Sequence, residues 1–355
     1  MSLLSHLVSV NYSEAMNQTE RAMRVLAAFA VGDALGMPTQ LFSRERSSSL
    51  LADGAFVTAP NDHEICPGLA AGTITDDTQQ ALILADHLIA NAGEFDADSF
   101  AASLLEWERL MRASGSLDLL GPSTKAALEQ VGKHGASVVS LAGTTNGASM
   151  RIPAVGLINS LISANEARFL IEQVRLVNQI SHNSWQANFA ATFVAVVISS
   201  GLDGFDLEAA FAAGFIATEL QAVTAGVDFA QSRFSQLRDE GFHEPRTLLQ
   251  TLGENFALAF IEGNYGTSLE SEESVVTAVV LAALAPEDPY QAALWGAKLG
   301  GDSDTIAAIS AAMVAACGGW SAQMDWATEF VLATNKLELE QRAKNLVAFR
   351  GRKHD

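Results

Sequence analysis

The sequence predicts an all-α protein, and three observations support this prediction. Alanine dominates the apolar residues, aromatic residues make up only 7%, and runs of β-branched residues are scarce. Alanine is the best helix former and lets helices approach closely. Apolar residues also recur at three- and four-residue spacing through long segments, which is the period of one helix face.

The individual helices follow from that spacing. The segments that show it most clearly are 79–91, 187–199, 206–223, 274–285 and 305–317. Several of them are apolar on every side, as helices inside a larger bundle are. We also expect a helix at 154–164 and a charged amphipathic helix over 336–355, whereas 55–60 is the best candidate for a short strand.

The chain has no evident internal boundary. Connections between the predicted helices are short, for example at 201–204 and 286–289, and no Ser/Gly-rich linker occurs. Hydrophobic residues make up 49% of the 355 residues, which is enough for a large core. We therefore predict one compact domain over residues 1–355.

The charge balance excludes some classes of partner. Asp and Glu number 41 against 21 Lys and Arg, so the net charge is −20. Such a field repels nucleic acids and anionic membranes and favours cations. The sequence also predicts a cytoplasmic protein. It has two distant cysteines and no evident signal peptide, and its longest apolar run, 189–200, is shorter than the ~20 residues of a membrane span.

Two acidic clusters, 72–78 (GTITDDT) and 300–305 (GGDSDT), each precede an apolar helix. Either cluster alone is explained by capping, because Thr, Ser and Asp are preferred N-cap residues. A cap needs one acceptor, however, and each cluster supplies two carboxylates that repel each other unless a cation lies between them. With no Lys or Arg neighbours in sequence, two hard divalent cations such as Mg²⁺ or Mn²⁺ would neutralise four buried carboxylates.

Five motifs in order resemble those of the ADP-ribosylglycohydrolase family, which includes dinitrogenase-reductase-activating and ADP-ribosylarginine or ADP-ribosylserine hydrolases. They are the two acidic clusters together with GDALGMP at 32–38, NGASMRIP at 146–153 and SHN at 181–183. GDALG and TDDT are weak individually, but five motifs in the family's order over about residues 20–320 are highly specific. The resemblance implies a compact orthogonal multi-helix bundle of this family's type.

The resemblance also implies a dinuclear metal site that hydrolyses an N- or O-glycosidic bond at ribose C1. In the family the ribose hydroxyls bind the metals, and a metal-associated water attacks the anomeric carbon. Three residues are assigned to one metal and two to the other, with Asp304 bridging the pair. These metal-ligand assignments are Thr75, Asp76 and Asp77 for the first metal, then Asp302 and Thr305 for the second.

The sequence departs from the family around this site. Gln40 stands where many members carry a Glu near the metal-bound water, and Gln cannot accept a proton at neutral pH. Asp76 and Asp77 are then the nearest candidates for removing a proton from water. Thr145 replaces a frequent glycine and Ser181 replaces a threonine, so the surroundings of the leaving group and phosphates are expected to differ.

The expected substrate-binding residues have both functional and structural interpretations. The loop with Thr145, Asn146 and Gly147 would hold phosphate through backbone N–H groups, or form a simple turn. His182 would contact substrate, or serve as a satisfied structural donor. Trp185 would stack on a base, or be an ordinary half-buried aromatic residue.

The leading hypothesis for the substrate is an ADP-ribosylated protein or another ADP-ribose conjugate. Few basic residues lie near the motifs, namely Arg44, Arg46 and Arg151, and this favours a ligand with fewer phosphates. The alternative is therefore an N-ribosidase acting on a free, possibly modified, nucleoside. A non-catalytic relative and a metal-dependent phosphatase are weaker alternatives, and the oligomeric state is not predicted.

Overall fold

The computed structural model describes residues 17–115, 124–125, 127, 130, 143–161 and 163–351. It is 71% helical, and the described residues contain no β-strand, so the all-α prediction is confirmed. The helices of the first half are α1 (Gln18–Gly36), α2 (Arg44–Leu50), α3 (Asp76–Ala90), α4 (Ala97–Ala113), α5 (Gly147–Arg151), α6 (Pro153–Ile158), α7 (Ala164–Asn178) and α8 (Trp185–Leu202). Those of the second half are α9 (Leu207–Ala225), α10 (Arg233–Glu240), α11 (His243–Thr251), α12 (Glu254–Tyr265), α13 (Ser271–Leu284), α14 (Pro289–Leu299), α15 (Ser303–Ala316), α16 (Ala322–Asn335) and α17 (Glu340–Val347).

All five strongly periodic segments form helices, as α3, α8, α9, α13 and α15. Three of them follow a residue whose side chain accepts a hydrogen bond from the first turn: Thr75 before α3, Ser184 before α8 and Asp206 before α9. The helix α9 is followed by Gly226, which adopts the left-handed conformation (φ 69°) that suits glycine.

Three predicted elements differ from the structure. The helix expected at 154–164 ends at Ile158, because Asn159 is extended (ψ 152°). Of the terminal helix expected over 336–355, the described part, which ends at residue 351, is helical over α17, and the left-handed Lys336 (φ 53°) separates α17 from α16. Residues 352–355 of that prediction lie outside the described residues. Residues 55–60 form no strand.

The helix α15 lies at the centre of the molecule, and every one of its residues is buried. It packs most extensively against α1, and α8, α13 and α14 also contact it. Glycines make the α1–α15 approach close: a Cβ atom at Gly32 or Gly36 would collide with the backbone of α15. The acidic start of α15 is thereby fixed beside the end of α1.

One helix in the described part of the chain, α8, is long and apolar enough to cross a membrane by length and composition. It is longer than the run 189–200 noted in the sequence and has a mean hydropathy of 1.3. The pair α1 and α2 passes the same test together but is bent by 112°. Because 89% of α8 is buried inside the protein, its apolar character is also typical of a helix in a protein core.

Candidate active site

Asp33, in the last part of α1, holds the start of α3. It is fully buried, and its carboxylate accepts hydrogen bonds from the backbone N–H and hydroxyl of both Thr75 and Thr78. Sequence reasoning gave Asp33 no role. The available signal was a carboxylate inside an otherwise apolar helix segment.

The two acidic clusters meet at this point. Asp77, Asp302 and Asp304 are each at most 2% exposed, and Asp33 lies close enough to affect Asp77 and Asp304 electrostatically. Burial first, and then the neighbouring carboxylates, raise the pKa of Asp77 and of Asp304 well above the ordinary value. Asp76 is only half-buried, so the expectation of four buried carboxylates in the clusters was wrong for this residue.

Two carboxylate oxygens in the site are buried without a hydrogen-bond donor among the described residues: Oδ2 of Asp77 and Oδ2 of Asp304. A buried acceptor without a donor is costly, and a hard cation is the ligand that oxygen donors of this kind suit. In the described ranges, no three Asp, Glu, His or Cys side chains stand together as the ligands of one ion. An ion here would therefore need hydroxyl, water or substrate oxygens as well, which is how Mg²⁺ is commonly bound.

Asp302 is held by amide side chains. Asn146 Nδ2 donates to Asp302 Oδ2 and also to Ser274 Oγ at 2.9 Å. Gln40 and Thr305 also hydrogen-bond to Asp302. Burial outweighs these contacts and raises the pKa of Asp302 to about 6. The amide of Asn146, predicted to bind substrate, is thus engaged with Asp302.

Arg151 is a buried cation beside the acidic clusters. It is 1% exposed, and Asp76 and Asp77 lie close enough to favour its charged form. Burial nonetheless lowers the pKa of Arg151 to about 10, so the guanidinium stays charged at neutral pH. The clusters therefore have an Arg neighbour in space, contrary to the expectation. The sequence did not show it, because Arg151 stands 75 positions after Asp76.

Thr145, Gly147 and His182 come together on the other side of Arg151. Thr145 Oγ1 lies 2.9 Å from His182 Nε2, and a Cβ atom at Gly147 would lie 2.8 Å from His182 Cε1. Burial, and next the charge of Arg151, lower the pKa of His182 well below its ordinary value. His182 is therefore a neutral imidazole at pH 7.

In the loop that was expected to bind phosphate, one backbone N–H group already has an acceptor within the protein. The N–H of Asn146 donates to Leu269 O, and Ser271 N–H donates to Thr144 O, so the loop is tied to residues 269–271 by an isolated antiparallel bridge. Trp185 is the first residue of α8, not part of a loop. It is half-buried and packs on Phe189 at a ring distance of 5.2 Å.

The family model of the ADP-ribosylglycohydrolases matches residues 14–354. The chain therefore belongs to the ADP-ribosylglycohydrolase family, whose members are hydrolases of the glycosidase type. It is 31% identical to the Escherichia coli (strain K12) protein YegU over 350 residues, which cover 94% of this chain and 98% of YegU.

Two further comparisons agree with this assignment. The chain is 27% identical to the ADP-ribosylarginine hydrolase Tri1 of Pseudomonas putida (strain GB-1), over 63% of this chain and 58% of Tri1. Its fold matches a solved chain of an ADP-ribosylglycohydrolase-related protein complex with a TM-score of 0.59 and 22% identity, over 94% of this chain and 98% of that chain.

Proposed function

We propose that this protein uses two divalent cations, Mg²⁺ or Mn²⁺, to hydrolyse the ribose C1 glycosidic bond of an ADP-ribose conjugate. The observation that supports the cations most directly is the meeting of two acidic clusters around two buried carboxylate oxygens that have no donor among the residues the structure describes. The residues that would hold them are Thr75, Asp76, Asp77, Asp302, Asp304 and Thr305.

The chain's own residues account for the proton in this reaction. Hydrolysis forms a bond from a water oxygen to C1 and breaks the bond from C1 to the leaving nitrogen or oxygen. The leaving atom departs with the electron pair and takes up one proton, which balances the proton that the water loses. Asp76 is the proposed proton acceptor, because it is the half-exposed carboxylate of the clusters and Gln80 Nε2 holds its Oδ2 at 2.7 Å. Bound cations would supply Lewis-acid polarisation of the ribose hydroxyls and of water.

Gln40 has a different part in the proposal. Its side chain donates to Asp302, which fixes that carboxylate in the second cluster. An amide cannot take up the proton that a glutamate at this position would accept. Gln40 therefore orients the site, and the proton goes to the first cluster.

The substrate class has two candidates. A relative named ADP-ribosylarginine hydrolase supports an ADP-ribosylated protein as the substrate. One observation favours a free nucleoside instead: Arg44 bonds Glu262, Arg46 bonds Asp62, and Arg151 is buried, so these arginines are engaged within the fold. An ADP-ribose diphosphate would have to be bound largely by uncharged donors.

Product release distinguishes the candidates. The enzyme is incubated with ADP-ribosylated arginine and serine peptides and with ribonucleosides, with Mg²⁺ or with EDTA, and ADP-ribose or ribose is quantified. We expect ADP-ribose release that requires the metal, that Asp76→Asn abolishes and that the exposed Asp86→Asn on the same helix leaves intact. Ribose release from nucleosides alone would establish the second candidate, and no release from either class would indicate a non-catalytic relative.

A further inference from the structure

The guanidinium of Arg151 lies between the acidic clusters and the loop that contains Thr145. It donates to three side-chain oxygens: Gln80 Oε1 at 3.0 Å, Thr124 Oγ1 at 3.0 Å and Ser181 Oγ at 2.9 Å. Two of these acceptors are themselves bonded to residues of the candidate site. Because a guanidinium can only donate, it dictates which way each acceptor turns.

The first contact leads to Asp76. Since Gln80 Oε1 faces Arg151, the NH₂ of the same amide must face the other way, and Gln80 Nε2 donates to Asp76 Oδ2 at 2.7 Å. A flipped amide would present its NH₂ to the guanidinium and its oxygen to the carboxylate, and both contacts would be repulsive. Arg151 therefore fixes the orientation of the group that holds Asp76.

The second contact leads to His182. Ser181 Oγ accepts from Arg151 and lies 2.8 Å from His182 Nδ1, which is the acceptor within its reach among the described residues. Donation of the single hydroxyl hydrogen of Ser181 to Nδ1 gives that hydrogen a partner, and it requires the imidazole proton to reside on Nε2. That atom faces Thr145 Oγ1 at 2.9 Å and donates to it.

We propose that Arg151 is a positioning residue that orients both sides of the site: Asp76 through Gln80, and the Thr145 loop through Ser181 and the Nε2–H tautomer of His182. The proposal deepens the proposed function, since it names the residue that would connect the proton acceptor to the substrate loop. The low pKa of His182 agrees with it, because a tautomer is defined only for a neutral ring.

The tautomer can be measured without any substrate. Nitrogen-15 NMR of histidine-labelled protein separates the two neutral forms, and His182→Gln identifies the signal by its loss. We expect Nε2–H in the native protein and in Ser181→Thr, which keeps the hydroxyl. Ser181→Ala removes the hydrogen donated to Nδ1 and is expected to give the Nδ1–H form or a mixture.

Two results of this measurement would overturn the proposal. One is an Nδ1–H ring in the native protein, and the other is an unchanged tautomer in Ser181→Ala. Because Arg151 is buried and its own replacement risks unfolding, the serine variants decide the question. If the native protein hydrolyses no conjugate, the proposed function fails, whereas the tautomer result still tests the contact from Ser181 to His182 through which Arg151 would act.

Kinetics on a hydrolysed conjugate distinguish the two contacts. Gln80→Leu is expected to lower kcat about 10- to 100-fold with little change in KM, as other replacements behind functional ligands do. Ser181→Ala is expected to raise KM about fivefold, the equivalent of one lost hydrogen bond, and Ser181→Thr restores the native value. The matched control is Thr124→Val, which removes a third acceptor of Arg151 that has no bond to Asp76 or His182 among the contacts of the described residues. Losses in the control equal to those in the other variants would mean that the guanidinium serves folding alone.

Discussion

Asp33 and Asp304 are both fully buried carboxylates, but their partners differ. Asp33 accepts from the backbone and hydroxyls of Thr75 and Thr78, which offsets part of the cost of burying its charge, although burial still raises its pKa. Asp304 Oδ1 accepts from Thr305 N–H, and its Oδ2 has no donor in the described part of the chain. Asp33 thus stabilises the local fold, whereas Asp304 has capacity left for a ligand.

Asp304→Asn tests that capacity. If Asp304 bridges two cations, the variant loses at least about tenfold in affinity at both sites, or about 1.4 kcal/mol each. Calorimetric titration with Mg²⁺ or Mn²⁺ measures affinity and stoichiometry together. The exposed Asp86→Asn is the matched control. Unchanged binding in Asp304→Asn would contradict the bridging assignment.

Gln40→Glu introduces a carboxylate directly against Asp302. Without metal, we expect the variant to lose about 1–3 kcal/mol of stability, because a donor to a buried acid is replaced by a like charge. With saturating Mg²⁺ the difference should shrink, since a cation offsets the repulsion. Thermal melting with EDTA and with Mg²⁺ measures both effects. Equal destabilisation under the two conditions would mean that no cation binds near Gln40.

The residue types in the acidic motifs were readable from the sequence, whereas their partners were not. Thr75 and Asp33 are 42 positions apart, and Arg151 and Ser181 are 30 apart. No periodicity links such pairs, because the contacts arise only when the helices pack. This is why Asp33 and the neighbourhood of Arg151 were missed.

Among the helices, the pair α1 and α15 determines how the two acidic clusters meet. Gly36 ends α1 with ordinary helical angles (φ −78°), so a side chain there would be excluded only by space. A Cβ atom would collide with the backbone of Ser303 and Asp304, at the start of α15. Close helix packing and site geometry therefore depend on the same glycine.

Gly36→Ala is expected to destabilise the protein by about 1–3 kcal/mol or more, as overpacking in a core does. It should also weaken metal binding, because the start of α15 must move. Gly263→Ala, within α12 and with open space around it, should instead stabilise by about 0.5–1 kcal/mol. Urea unfolding measures both. Similar stabilities for the two variants would contradict the close α1–α15 packing.

Helix interiors were more predictable than helix ends. In α8 and α15 the buried apolar residues extend along almost the whole helix, so the apolar pattern of the sequence indicates a helix throughout each segment. The end of α6 depends instead on one extended residue, Asn159, whose amide donates to Val155 O and to Gln173 Oε1 at 2.5 Å. The spacing of apolar residues along the sequence does not indicate such a tertiary contact.

At the scale of the whole molecule, Arg350 ties the end of the chain to its middle. Its guanidinium donates to Asp203 Oδ1 at 2.7 Å and to Ser199 O, and both side chains of the ion pair are at most 5% exposed. It also donates to backbone carbonyls at the end of α6. Asp203 receives further bonds from Ser160 and from the backbone of Leu161.

Arg350→Ala leaves a buried carboxylate without its cation and is expected to cost about 3–5 kcal/mol. Arg342→Ala removes a more exposed pair with Asp86 on the neighbouring helix and should cost less than about 1 kcal/mol. Chemical denaturation of the two variants gives the comparison. A loss below about 1 kcal/mol for Arg350→Ala would show that the buried Arg350–Asp203 ion pair contributes little to stability.

The metal-free protein is expected to lose stability, relative to Asp302→Asn, as the pH rises. The pKa of Asp302 is raised to about 6 from the ordinary 3.8, so the folded state holds the proton more tightly than the unfolded chain. That contribution is fully present below pH 3.8 and lost as the pH rises through about 6, at a cost of about 3 kcal/mol.

Melting of both proteins in EDTA between pH 4 and pH 7 measures this difference, which includes the effect of the Asp302 charge on the pKa values of Asp77 and Asp304. Mg²⁺ at pH 7 should reverse the order, because a ligand of the folded state stabilises it. A difference between the proteins that does not change with pH would contradict the effect.

The close pairing of α1 with α15 also determines when the site can form during synthesis. Asp33 and Thr75 leave the ribosome early, but Asp302 and Asp304 follow more than 200 residues later. Until then the face of α1 that α15 covers lacks its partner. Contacts this distant in sequence close slowly. A nascent chain that ends before α15 therefore has no complete site. It also leaves the apolar face of α1 that α15 covers available to other molecules in the cell.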